Sequence, residues 1–252
     1  VDFDPGVGSF NLTSFGGNDI YISKCDASGN FIWAIQIGGT GNENAKSIEV
    51  DNAGNSYITG DFYNSVDFDP GANSFNMTPF GSNDVFVCKY DPSGDLLWAK
   101  QLGGASTDKG ISIDVDLIGN VIVGGEFNAT CDFDPGANSF NMTSYGGNDI
   151  FVTKLDGAGN FIWAKQIGGS NNEWNGFVDV DVLNNIIVTG EFNNTIDLDP
   201  GGSSFNVISV GSSDVFITKL SSAGGFVWGK QIGGSQIDAV RDITTDANNN
   251  VY

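Results

Sequence analysis

The feature that most constrains the fold is a repeat of 65 residues with no insertion or deletion between its first three copies. The segment DFDPG begins at Asp2, Asp67 and Asp132, and it returns as DLDPG at Asp197. The repeats are 1–65, 66–130, 131–195 and a shortened 196–252. A constant period of this size indicates that one supersecondary unit recurs along the chain, which therefore forms a single repeat domain over 1–252.

Several positions carry the same residue in every repeat. These columns are Trp33, Trp98, Trp163 and Trp228; Lys24, Lys89, Lys154 and Lys219; Gln36, Gln101, Gln166 and Gln231. The Trp column lies in an otherwise apolar strand, so it is predicted to pack between units rather than to form a platform for sugars.

Each unit is predicted to contain short strands separated by turns. In the first repeat the strands are 20–25, 31–37, 46–51 and 56–62, with turns at 26–30 and 52–55. Gly is abundant at 36 residues and Lys+Arg is scarce at 10, a composition that disfavours helices. The strands are apolar on both sides, as expected for sheets packed against neighbouring sheets.

The predicted fold class is therefore all-β, a β-propeller of four-stranded antiparallel blades. The VDFDPG and SFNMT segments are interpreted as an extension of the fourth strand and an added ribbon or loop. Four repeats fit either a closed four-bladed ring, in which residues 19–37 complete the last blade, or a segment of a larger array.

The sequence DIFVTKLD-x-x-GNFIWAKQIGG, followed by IDVD, VTGEF and VDFDPG elements, resembles the bacterial SBBP repeats. That resemblance covers all four units and implies a propeller, named for a predicted seven-bladed form, in secreted or surface proteins. It implies no common enzymatic activity. Similarity to other propellers also implies that strand 47–51 is innermost and strand 31–37 outermost.

Charge and composition exclude several functions. The formal net charge is −21, so nucleic acid and anionic membranes are not expected partners, and no apolar run reaches the length of a membrane span. The chain contains no His, which removes the usual catalytic triads, His-ligated zinc and imidazole pH switches. We therefore expect a protein that is not an enzyme.

The acidic residues recur in repeat columns that begin at Asp2, Asp4, Asp19, Asp26, Glu43, Glu49, Asp51 and Asp61. Two carboxylates on one face of a strand, next to carbonyl groups, suit Ca²⁺. The candidate calcium ligands are Asp2, Asp4, Asp67, Asp69, Asp132, Asp134, Asp197 and Asp199. The alternative is that Asp-Pro-Gly is a turn in which Asp accepts backbone N–H groups, and hairpin turns also explain the Asp26 and Asp51 columns.

Residues that break the repeat are the candidates for a specific binding site. The loops at 40–46, 105–111, 170–176 and 235–241 vary most, and they contain Trp174, Lys109 and Arg241. Loops at one face of a propeller commonly carry binding, so these residues are predicted to contact a protein or a glycan. The three cysteines, Cys25, Cys88 and Cys131, occupy different columns and are interpreted as incidental thiols with at most one bridge.

These features favour a non-enzymatic module of an extracellular or bacterial cell-surface protein that serves in adhesion, display, or protein or glycan binding. One alternative is a structural spacer or filament subunit that self-associates. Another is a carbohydrate-active enzyme that uses carboxylates in unlike environments, which the repetition of the acids disfavours.

Overall fold

In the computed structural model, which describes residues 1–252, all strands pair antiparallel and there is no helix. The strands are β1 (Ile20–Cys25), β2 (Phe31–Gly39), β3 (Glu43–Val50), β4 (Ser56–Phe62), β5 (Val66–Asp67), β6 (Asn76–Met77), β7 (Asp84–Tyr90), β8 (Leu96–Gly104), β9 (Lys109–Val115), β10 (Val121–Asp132), β11 (Asn141–Leu155), β12 (Phe161–Gly169), β13 (Glu173–Val180), β14 (Ile186–Phe192), β15 (Thr195–Asp197), β16 (Asn206–Ile208), β17 (Asp214–Leu220) and β18 (Phe226–Ile232).

Three complete blades repeat with the predicted period. Blade 1 contains β3, β4, β7 and β8, blade 2 contains β9 to β12, and blade 3 contains β13, β14, β17 and β18. The predictions of four-stranded antiparallel blades and of a chain without helices are confirmed. The first strand of each blade also contacts the first strand of the next, for example where the Ser112 hydroxyl donates to the Val178 carbonyl at 3.1 Å.

The two ends of the chain do not join in one sheet. Strand β1 pairs only with β2, and the C-terminal segment makes two isolated bridges, one between Ser213 and Ile237 and one between Thr245 and Val251. The structure thus shows three complete blades and no closed ring, and it leaves a four-bladed count without support.

The turns follow from a carboxylate that organises each hairpin. Asp51 Oδ1 accepts the N–H groups of Ala53 and Asn55, both at 2.9 Å, and Asp51 Oδ2 accepts the Asn55 amide at 2.8 Å. Gly54 has a φ of 84°, and Asn184, the equivalent residue of blade 3, has a φ of 60°. Gly and Asn tolerate this left-handed conformation best, which explains their presence in the column. The hairpin interpretation of the Asp51 column is confirmed.

The DFDPG segments form ribbons that connect neighbouring blades. Strand β5 pairs with β6 and also with the end of β2, the outermost strand of the preceding sheet, and β15 pairs in the same way with β12. In blade 2 the ribbon begins as a continuation of β10, which reaches Asp132 and pairs with the end of β8. The predicted strand extension and added ribbon are therefore both present.

The hydrophobic core lies between blades rather than within one. One buried cluster joins Val85 and Leu102 of blade 1 to Phe127 and Phe151 of blade 2, and a second cluster joins blade 2 to blade 3. Because each central strand is covered on both faces by neighbouring sheets, its side chains are apolar on both faces.

Residues of the Trp and Lys columns donate hydrogen bonds to backbone carbonyls of the following blade. Lys24 lies opposite Trp33 in the register of β1 and β2. The Lys24 ammonium and the Trp33 indole donate to the Pro92 carbonyl at 2.9 and 3.1 Å. Trp98 and Trp163 make the same bond to the following blade, through the carbonyls of Gly157 and Ser222. The prediction that this column packs between units is confirmed.

Candidate functional site

The three residues singled out because they break the repeat lie together in one groove. The groove has a volume of about 660 Å³ and lies between blade 2, blade 3 and the C-terminal segment. We call it the junction groove; its lining residues are Lys109, Glu126, Trp174, Asn175, Glu191, Asn193, Ser212, Ser213, Ile237 and Arg241. The lining is mostly polar, with Trp174 and Ile237 as its apolar members.

In the groove, a repeat position that is acidic in each blade lies opposite a position whose residue differs from blade to blade. Lys109 and Trp174 occupy the same repeat column, in which the first repeat has Asn44. Asn44 pairs in register with Asp61, Lys109 with Glu126, and Trp174 with Glu191. Each blade therefore places a carboxylate opposite a residue that differs from blade to blade, and this difference makes the end of each blade chemically distinct.

Lys109 and Glu126 form an ion pair on the blade 2 side of the groove. The Lys109 Nζ lies 2.7 Å from Glu126 Oε1, and the Glu126 side chain is only 7% exposed. Burial of Lys109 opposes its charge, but the hydrogen bond and charge of Glu126 outweigh that effect and raise the pKa of the lysine. This side of the groove thus has a fixed cation beside a fixed anion.

Glu191 is held differently because Trp174 offers no hydrogen bond across the strands. Its Oε1 accepts the Asn175 amide at 2.9 Å and the Val240 N–H at 3.2 Å. Asn175 has a φ of 61° and lies where the pairing of β13 with β14 shifts register, so a bulge brings its side chain to Glu191.

Arg241 is the most accessible charge of the groove. Its Nη1 lies 3.6 Å from Glu191 Oε1, and its side chain is 81% exposed. A guanidinium carries five donors in a planar fork, so most of them remain free for a ligand.

The predicted calcium ligands lie elsewhere, in the ribbons at the outermost strands. Asp67 Oδ1 accepts the N–H groups of Asp69 and Phe75, at 3.0 and 2.8 Å, and Asp69 Oδ1 accepts that of Gly71 at 2.8 Å. The same pattern recurs in the other ribbons, at Asp2, Asp4, Asp132, Asp134, Asp197 and Asp199. One oxygen of each carboxylate therefore organises the turn. Calcium binding by these ribbons stays a prediction.

Sequence reasoning found the variable members of the groove but missed its fixed ones. Glu126 and Glu191 belong to the Asp61 column, whose repetition conceals that two of its members face the groove. Asn193, Ser212 and Ser213 lie between strands and carry no motif. The only signal for them was their position beside the ends of β14 and β17.

Two further features bear on the environment of the protein. Cys25, Cys88 and Cys131 are all free thiols, the last two buried, so the three form no bridge with one another. The structure contains no helix with the length and apolar character needed to cross a membrane.

Repeated four-stranded antiparallel blades that pack face to face define a β-propeller repeat protein. Residues 32–61 match the model of the SBBP family, which is described as a beta-propeller repeat. The chain is 29% identical over 180 residues, 62% of its length, to an uncharacterized WD repeat-containing protein of Acanthamoeba polyphaga mimivirus. It is also 29% identical over 171 residues, 67% of its length, to the regulatory protein FlaEY of Caulobacter vibrioides. The matches cover 13% and 18% of those two proteins, so the chain spans less than a fifth of either.

Proposed function

We propose that this chain is a non-enzymatic binding module of an extracellular or cell-surface protein, and that the junction groove binds a segment of a partner protein. The observation that carries the proposal is the convergence of Trp174, Lys109 and Arg241 in one groove. Most of the remaining surface is repeated from blade to blade, so it distinguishes partners weakly, whereas the groove occurs once.

The charge of the groove supports a protein ligand. The chain has a net charge of −21, yet the groove places two bases, Lys109 and Arg241, beside two acids, Glu126 and Glu191. This balance reduces the repulsion that a polar or acidic segment meets elsewhere on the surface. Trp174 is half-buried and Arg241 is exposed, and these two residue types dominate binding hot spots.

The acids of the groove support a role without catalysis. A general acid needs a carboxyl group in an apolar setting, unlike that of its partner carboxylate. Here Glu126 is paired with Lys109, and Glu191 is bonded to Asn175 and faces Arg241. Both carboxylates are held by polar partners. The names of the two relatives, a WD repeat-containing and a regulatory protein, also denote no reaction.

The location outside the cell rests on the resemblance to SBBP repeats and on the acidic composition. The SBBP model matches residues 32–61, which supports the resemblance for that part of the chain. Secretion and display are therefore proposed together with the binding role.

The proposal predicts that Trp174→Ala and Arg241→Ala each weaken binding by about 10-fold or more, because each removes a hot-spot residue. A peptide display library and a glycan array, screened with the immobilised chain, supply the ligands. The affinity of each ligand is then measured by biolayer interferometry.

The repeat provides matched controls for both variants. Asn44→Ala changes the same column as Trp174, and Lys46→Ala removes one positive charge from the same column as Arg241. Neither control residue lines the groove, so both should bind within about 2-fold of the unchanged chain. If the screens yield only glycans, the ligand of the groove is a sugar and not a segment of a protein, which contradicts the proposed partner. Ligands lost in Asp132→Asn/Asp134→Asn but kept in the groove variants would place the site on a ribbon and refute the proposal.

A further inference from the structure

A pair of buried carboxylates lies at the junction of blades 2 and 3. Asp149 at the third strand of blade 2 and Glu173 at the first strand of blade 3 are both 0% exposed. Both side chains lie against the Gly168–Gly169 dipeptide that ends β12. A methyl group added to Gly168 would collide with the Asp149 carboxylate, and the Gly169 N–H donates to Glu173 Oε2 at 3.0 Å.

Each carboxylate has one satisfied oxygen and one without a partner. Asp149 Oδ2 accepts the Tyr145 N–H at 3.0 Å and the Gln166 amide at 2.6 Å. Asp149 Oδ1 and Glu173 Oε1 are both buried and accept no hydrogen bond. An unsatisfied buried acceptor is costly, and two of them on neighbouring acids require a common explanation.

No base of the protein compensates the pair. The four ion pairs of the structure involve Glu126, Asp116, Asp181 and Glu191, and none involves Asp149 or Glu173. Two like charges out of contact with water and without a counter-charge are unfavourable unless something else neutralises them.

At the junction between blades 1 and 2, the repeat position of Glu173 is occupied by Asp108, and both of its carboxylate oxygens accept hydrogen bonds from the protein. The shorter Asp108 side chain accepts the N–H groups of Gly104 at 2.8 Å and Asn128 at 3.1 Å. In contrast, Glu43 and Glu173 each leave one oxygen free, as do their partners Asp19 and Asp149. Asp84, the partner of Asp108, also leaves Oδ1 free, as does Asp214 in blade 3, so the free aspartate oxygen recurs in every repeat. The free glutamate oxygen occurs only at the Glu43 and Glu173 junctions, where both members of the pair have an unpartnered oxygen.

We propose that Asp149 and Glu173 bind a calcium ion at the junction of blades 2 and 3, and that Asp19 and Glu43 form the equivalent site at the edge of blade 1. These residues are distinct from the ribbon carboxylates predicted from the sequence. A divalent cation accounts for both the unpartnered oxygens and the missing counter-charge.

Calcium fits a site with few acidic ligands better than other hard cations do. No group of three or more acidic or Cys side chains in the structure is arranged to hold a metal ion, so a calcium ion at either pair would need main-chain carbonyls and water to complete its shell. Ca²⁺ accepts such irregular oxygen shells, whereas Mg²⁺ demands near-octahedral geometry and keeps its water. With two carboxylates, the affinity belongs in the range of extracellular modules, about 10⁻⁴–10⁻³ M.

The test uses the full chain, freed of metal by a chelator and then titrated with CaCl₂ by calorimetry and by thermal unfolding. We expect at least two sites and a rise in melting temperature of about 5 °C at about 10 mM calcium. Glu173→Gln should lose one site relative to the unchanged chain, and Glu43→Gln/Glu173→Gln should lose two, whereas any sites in the ribbons should remain. Because glutamine keeps the shape of glutamate without its charge, both variants should also melt at or above the temperature of the unchanged metal-free chain.

Asp132→Asn/Asp134→Asn, which changes one ribbon, is the control and should retain both sites. An unchanged calcium response in Glu43→Gln/Glu173→Gln would place the ion elsewhere and overturn the proposal. Absence of binding heat and of any melting shift at about 10 mM calcium would also overturn it, and would leave a shared proton or a buried water as the partner of these oxygens.

Discussion

Lys154→Ala is expected to lower the free energy of unfolding by about 3–5 kcal/mol, the cost of leaving a buried charge without its partner. The Lys154 Nζ lies 2.8 Å from Asp116 Oδ2, and the two side chains are 5% and 0% exposed. Burial raises the pKa of Asp116, but the hydrogen bonds from Lys154 and Asn120 outweigh it and lower the pKa below its ordinary value. Asp116 is therefore charged in the folded chain and depends on Lys154. Urea unfolding followed by circular dichroism measures the loss.

Lys89 is the equivalent of Lys154 in blade 1, and it supplies a control because its surroundings differ. Tyr57 occupies the place of Ile122, and its hydroxyl donates to Asp51 Oδ2 at 3.1 Å. Lys89 makes no ion pair with Asp51, and its Nζ instead lies 4.8 Å from the centre of the Tyr57 ring.

Lys89→Ala should therefore cost only about 1 kcal/mol, the worth of an exposed cation–π contact. Equal losses for the two variants would mean that the column acts through packing between blades and not through the buried ion pair.

The metal-free chain is expected to lose stability as the pH rises, and Glu173→Gln should remove a large part of that loss. Burial raises the pKa of Glu173 from 4.5 to about 8; the Gly169 N–H opposes this shift and the charge of Asp149 adds to it. A raised folded-state pKa means that the folded chain holds a proton that the unfolded chain releases. The stabilisation is complete below about pH 4.5 and is lost as the pH rises to about 8.

One pKa unit corresponds to about 1.4 kcal/mol, so the rise in the pKa of Glu173 from 4.5 to about 8 contributes a fall of up to about 5 kcal/mol across this window. Burial also raises the pKa of Glu43 and Asp114 to about 7, and these groups contribute in the same direction. The difference between the unchanged chain and Glu173→Gln, measured by urea unfolding in EDTA at several pH values, isolates the share of Glu173. Parallel curves for the two chains would show that Glu173 keeps its charge in the folded state.

The repeat predicted most of the secondary structure directly. The strands expected at 20–25 and 56–62 occur with those bounds as β1 and β4, and the strand expected at 46–51 begins three residues earlier, at Glu43. Local rules suffice for these elements, because alternation of apolar residues and the turn chemistry of Asp, Gly and Asn act within a few residues.

The variable loops pointed to Trp174, Lys109 and Arg241, because a residue that departs from its column is visible without a structure. Their meeting in one groove was not predictable from their positions, since Lys109 and Arg241 are 132 residues apart in the chain. It depends on how blade 2, blade 3 and the C-terminal segment approach one another.

The sequence by itself determined the period, the strands, the hairpin turns and the columns of residues that recur in every blade. The tertiary structure alone decided which members of a column are satisfied. Asp108 bonds two backbone N–H groups while Glu173 keeps a free oxygen, and Lys154 reaches a carboxylate while Lys89 faces a tyrosine. The reason is that hydrogen bonds and charge pairs between blades form over a few ångströms. One methylene in a side chain, or one aromatic ring in a neighbouring strand, therefore changes the partner although the repeat is unchanged.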